Sequence, residues 1–173
     1  APRHAERVRP SLSGWMGHEA PFAFDLDYRP APGIERMRVG TPPVIALAAL
    51  EAALDVWEDV DMKDVRQRSI ELTERFIAAV ERDCPGLVLG SPRDPAMRGS
   101  QVSFHHPHAY AVMQALIARG VIGDFRAPDV MRFGFTPLFI GEAEVDAAVA
   151  TLASVLADGS WDRPEFPRRA AVT

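Results

Sequence analysis

The sequence predicts an α+β fold: a small, mostly antiparallel sheet covered by helices on one face, preceded by an arm and a long buried helix. Three observations carry that expectation. From Asp61 onward the apolar periodicities follow the order helix, strand, strand, helix, strand, strand, helix. Before Thr41 no period of 3.6 or 2 is sustained, and Pro, Gly, Arg and aromatic residues crowd the segment. The composition, 47% apolar and 25% charged over 173 residues, suits one ordinary core.

Residues 1–42 read as an arm and loops belonging to a larger body. The pattern changes at Thr41-Pro42-Pro43, where Thr41 suits an N-cap and proline suits a first helical turn. From Val44 to Trp57 only Glu51 and Asp55 are charged, so residues 43–60 are expected to form a connecting helix, apolar nearly all round and therefore buried. A second helix starts at Asp61, with Asp64 in a capping-box-like position and apolar residues at Val65, Leu72, Phe76, Ile77 and Val80; it stops near Cys84-Pro85-Gly86. Residues 87–89 read as a short strand, 91–100 as a loop, and 101–105 as a strand with Val102 and Phe104 on one face. Pro107 opens a helix carrying Tyr110, Met113, Leu116 and Ile117, which Gly120 ends. Strands at 121–125 and 130–136 follow. The last helix, 142–157, turns Val145, Val149, Leu152, Val155 and Leu156 inward. Residues 61–159 thus make the small α+β domain, and 160–173 a tail attached through Trp161 and Phe166.

The formal charge of −5 argues against nucleic acid and anionic membrane as partners, since both reward basic excess. No stretch approaches the ~18 uncharged apolar residues of a spanning helix, and the first residues lack the apolar core of a signal peptide. Cys84 is the single cysteine, which excludes an internal disulfide and makes a cytoplasmic setting the default.

The strand Val130-Met131-Arg132-Phe133-Gly134 holds one charge among apolar neighbours, and alternation puts Arg132 on a face with Val130, Gly134 and Thr136. Such an arginine needs a partner. Two answers are open: a bidentate grip on a substrate carboxylate in the space Gly134 leaves, or an internal pair with Asp124, Asp129 or Glu142. In Ser13-Gly14-Trp15-Met16-Gly17-His18 an indole sits between two glycines, so Trp15 either donates its N–H to an anionic oxygen or anchors the arm. Thr41, at a helix start, either contributes to an anion site or simply caps the helix. His18 reads as a hydrogen-bonded loop residue. His105-His106-Pro107-His108 lacks ligand spacing and supports no metal. The sole lysine, Lys63, falls at a solvated helix start.

Taken together, residues 12–18 (Leu-Ser-Gly-Trp-Met-Gly-His), Gly33-Ile34-Glu35-Arg36 leading to Gly40-Thr41-Pro42-Pro43, Arg98 to Phe104, Gly120 to Arg126 and Met131 to Leu138 resemble, in order and spacing, the carboxyl-terminal half of the bacterial kynureninase family. The resemblance implies the C-terminal domain of a fold-type-I enzyme that uses pyridoxal 5'-phosphate (PLP). It further implies a cytoplasmic homodimer that hydrolyses L-kynurenine, or 3-hydroxykynurenine, in tryptophan catabolism, the route to NAD. Trp15 and Thr41 would contact the PLP phosphate, and Arg132 the α-carboxylate of the substrate. The family's PLP-bearing lysine, and the aspartate and aromatic that hold the ring, precede the stretch that this sequence matches, so the isolated chain is expected to be inactive. A cysteine desulfurase-like enzyme and a non-catalytic dimerisation module are the alternatives.

Overall fold

The computed structural model describes residues 2–5 and 7–166, and the chain divides after Asp59 into two compact units. In the first, a short helix α1 (Pro2–Ala5) precedes two single-turn 3₁₀ segments, Trp15–Gly17 and Gly33–Met37, and then α2 (Val44–Leu54), which runs into a further turn at Asp55–Trp57. The arm between the two 3₁₀ segments doubles back on itself: the amide of Glu19 donates to the carbonyl of Arg29, and that of Ala31 to Gly17, both at 2.8 Å.

Two expectations fail in this unit. Thr41 is not the N-cap of α2; Pro43 occupies that position and makes no side-chain capping bond. A residue before proline is disfavoured in the helical region, so the Pro42-Pro43 pair works against helix at Thr41 and Pro42, and α2 begins only at Val44. Nor is α2 buried. All of its residues are exposed, because the unit has no core to receive an apolar helix: among its described residues only Gly17, His18, Ala31 and Arg36 are buried.

The second unit is the α+β body. Its sheet has four antiparallel strands in the order β1-β2-β4-β3: β1 (Val88–Leu89), β2 (Gln101–His105), β3 (Asp124–Arg126) and β4 (Val130–Gly134). Three helices serve it: α3 (Met62–Asp83), α4 (Ala109–Ile117) and α5 (Glu142–Asp158). Asp61 caps α3 by accepting the Lys63 amide at 2.7 Å. Register pairs Val102 with Phe133 and Phe104 with Met131, and all four side chains are buried against the helices. Phe76 of α3 sits at the centre, with ring centroids 5.0, 5.1 and 6.1 Å from Phe133, Phe135 and Phe104. Val145, Val149, Leu152 and Val155 of α5 complete the core, as the period of 3.6 requires, while Leu156 is only half-buried.

Several boundaries differ from expectation. α4 starts at Ala109, two residues after Pro107, and ends at Ile117, three before Gly120. β3 begins at Asp124 instead of Val121, and β4 ends at Gly134 instead of Thr136. The amide of Phe135 still donates to the carbonyl of Ser100 at 2.8 Å, in the same register, so the β2–β4 pairing reaches one residue past the end of β4. The segment after α5 is tied down at its start, where Trp161 stacks on His108 at 4.4 Å and Phe166 packs on the core; residues 167–173 of the expected tail lie outside the described residues.

Candidate functional site

The alternation of β4 leaves Arg132 on the face of the sheet opposite the helices. Across from it in register stand Ser103 of β2 and Asp124 of β3. Arg132 is only partly buried, its side chain 29% exposed. The apolar neighbours Met131 and Phe133 point the other way and bury the opposite face. Its Nε donates to Asp124 Oδ1 at 2.7 Å and its Nη2 to Asp124 Oδ2 at 2.5 Å, a side-on bidentate pair. That bond holds the Asp124 carboxyl below its ordinary range and raises the guanidinium above its own. Arg126 adds a second, looser contact, 3.2 Å from Asp124 Oδ2. Of the three internal partners open from the sequence, the fold brings Asp124 to Arg132. Asp129 instead meets His105 Nδ1 at 3.0 Å, and Glu142 meets Arg68 and Arg75 across α3 and α5. No atom comes within 4 Å of a Cβ built on Gly134, so the strand stays open beside the guanidinium.

Trp15 and Thr41 belong to the first unit. Gly14 lies flat on Val39: a Cβ there would stand 1.6 Å from the Val39 carbonyl oxygen. Gly17 is as constrained, with a would-be Cβ 2.7 Å from the Arg36 carbonyl oxygen and 2.8 Å from that of Arg38. These two glycines let the Trp15 turn close against the stretch that leads to Thr41. The indole is half-exposed, touches Phe22 edge-on, and forms one wall of a cavity of about 360 Å³ shared with His18, Asp25 and Tyr28. His18 is the loop residue the sequence suggested: its Nδ1 accepts the Ala20 amide at 2.9 Å, so Nε2 carries the proton toward the Asp27 carbonyl at 3.2 Å. Thr41 is exposed and capless.

Lys63 is exposed in the first turn of α3. Among the described residues no group of three or more His, Cys, Asp or Glu is placed to hold a metal. His105 pairs with Asp129, His106 accepts the His108 amide, and His108 stacks on Trp161. No helix is long and apolar enough to cross a membrane. One polar cluster escaped sequence reasoning. Arg98, its side chain 2% exposed, donates to the carbonyls of Pro92 and Arg93, to Thr73 Oγ1 and to Glu74, pinning the loop before β2 to α3. No periodicity marks it, since every partner but Thr73 and Glu74 is backbone.

The Kynureninase C-terminal domain profile matches residues 65–152, just over half of the chain. The chain belongs to that family. Kynureninase from Burkholderia mallei (strain SAVP1) is 50% identical over 99% of this chain, and kynureninase from Deinococcus radiodurans is 51% identical over 90% of it. The chain spans 42% and 38% of those relatives' lengths. In three dimensions it is similar to a cysteine desulfurase from Thermococcus onnurineus, with a TM-score of 0.72 and 17% identity over 90% of this chain and 41% of that one. It is also similar to C-DES, caught with glycine linked to its PLP cofactor, with a TM-score of 0.69 and 21% identity over 88% of this chain and 40% of that one. At such identities these likenesses show the fold alone. Kynureninase relatives, by contrast, share half of the residues.

Proposed function

We propose that this chain serves as the carboxyl-terminal part of a kynureninase, a PLP-dependent hydrolase that cleaves a carbon–carbon bond of L-kynurenine or 3-hydroxykynurenine and releases L-alanine. The observation that carries the reading is the 50% identity to kynureninase over 99% of the chain. A cytoplasmic homodimer in tryptophan catabolism is the corresponding setting.

The donor chemistry fits the cofactor's outer parts. When bound, PLP supplies an electron sink for the charge left on the substrate as bonds at its α-carbon break. Trp15 would donate its indole N–H to a phosphate oxygen, and no other hydrogen bond engages that N–H among the described residues. Thr41 would add its hydroxyl beside the unpaired first amides of α2, where the helix dipole favours an anion. Arg132 would bind the substrate α-carboxylate and so orient the α-carbon, a positioning task. Lys63 cannot carry the cofactor from a solvated helix start. That lysine would come from the part of the relatives this chain does not span.

The test is steady-state turnover of kynurenine by the full-length protein, read by anthranilate fluorescence. Substitution of Arg132 by lysine should retain the fold and the cofactor's absorbance yet cut kcat/KM by roughly a hundredfold, since an ammonium cannot form two parallel hydrogen bonds. Unchanged kcat/KM would remove Arg132 from the site.

A further inference from the structure

The side-on pair between β3 and β4 leaves part of the Arg132 guanidinium unused. Nε and one proton of Nη2 face Asp124. The opposite edge, Nη1 and the second proton of Nη2, forms no hydrogen bond among the described residues. A guanidinium has five donors in a rigid plane, so one carboxylate held side-on fixes the direction in which a second can be gripped end-on. Backbone close packing fixes the first carboxylate. Gly123 lies so near β4 that a Cβ would meet the Arg132 carbonyl oxygen at 2.8 Å and the Met113 side chain at 2.8 Å. Its lack of a side chain lets β3 close on β4 in the register that sets Asp124 opposite Arg132. Gly134, with open space around it, flanks the same strand two residues on.

We infer that Asp124 is a positioning residue of the substrate site: it clamps the guanidinium of Arg132 side-on, so that its free edge presents two parallel donors to the α-carboxylate of an amino-acid substrate. The inference rests on the proposed role of Arg132. Arg126 enters only as a partial counter-charge, keeping the Asp124 carboxylate from cancelling Arg132 outright.

The test compares Asp124→Ala, Asp124→Asn and Arg132→Lys in the full-length enzyme. Each is measured for kcat, KM, cofactor absorbance and thermal melt, and for inhibition by two substrate analogues that differ only in the presence of the α-carboxylate. In Asp124→Ala, KM and the inhibition constant of the carboxylate analogue should rise roughly tenfold, the scale of one charge-assisted hydrogen bond, while the analogue lacking the carboxylate binds as before. Asp124→Asn, which keeps one acceptor, should fall between. A structural role alone would lower the melt and shift both analogues together. If Arg132→Lys loses the discrimination between analogues and Asp124→Ala keeps it, the inference is overturned while the role of Arg132 stands. Tighter binding of the carboxylate analogue to Asp124→Ala would also overturn it, since Asp124 would then be a competitor for Arg132. If Arg132→Lys retains full discrimination, both fall together.

Discussion

Residue by residue, the proposed contacts in each unit are prepared by neighbours that have no side chain at all. Gly14 and Gly17 let the Trp15 turn seat on the backbone of residues 36–39, and a methyl at Gly14 would overlap the Val39 carbonyl. Gly14→Ala should therefore loosen the arm and weaken PLP retention in the full-length enzyme, measured by dialysis against cofactor-free buffer. Trp15→Phe and Thr41→Ala should weaken retention with the arm intact, each removing a bond to a charged oxygen worth about 1.5–3 kcal/mol. If both variants hold cofactor as tightly as the parent, neither residue touches the phosphate. Cys84 is fixed by the opposite kind of neighbourhood: burial, aided by Asp83, pushes its thiol up to about 11. It should resist a thiol reagent at pH 8 in the folded chain and react promptly in urea, because only the thiolate attacks.

Secondary-structure elements separate what the sequence disclosed from what it hid. The 22 residues of α3 were legible from both ends: Asp61 as cap, the apolar period through Leu72, Phe76, Ile77 and Val80, and the stop at Cys84. Phe76 is the keystone of that helix, so Phe76→Ala should cost about 3–5 kcal/mol in urea melts of the second unit. A loss below 1 kcal/mol would mean that the aromatic cluster repacks. α2 was legible as a helix but not in its surroundings, since an apolar pattern says what an element wants and not whether a core is there to supply it. For Arg132 the strand and the face were readable. The choice of partner was not, because Asp124, Asp129 and Glu142 are equivalent until the hairpin register selects one.

Considered as a whole molecule, the chain carries much of its charge in surface pairs between guanidinium and carboxylate. Asp25, Glu71, Asp83, Asp124, Asp146 and Asp158 all ionise below their ordinary values, for the most part because arginines or amide and hydroxyl donors bond to the charged form. A carboxyl that ionises more readily when folded stabilises the fold above the unfolded value of about 4, and that contribution is lost as pH falls through the folded values. Melting temperature should hold from pH 7 to 5 and decline below pH 4, and 1 M salt should flatten the decline because exposed pairs are screened. A melt indifferent to pH down to 3 would show that these pairs do nothing for stability. Catalysis belongs to this scale too. The 173-residue chain on its own should neither turn over kynurenine nor give stoichiometric borohydride-trapped PLP at Lys63, checked by peptide mapping.

The exposed, apolar surface of α2 has a practical consequence for anyone handling the chain in solution. Val44, Ile45, Leu47, Leu50 and Leu54 face water together, a greasy cylinder of the kind that drives colloidal association rather than a defined complex. The purified piece should scatter light increasingly with concentration and brighten an amphiphilic dye such as anilinonaphthalene sulfonate. Replacing Ile45 and Leu50 by glutamate should clear both signals while leaving the melt of the second unit where it was.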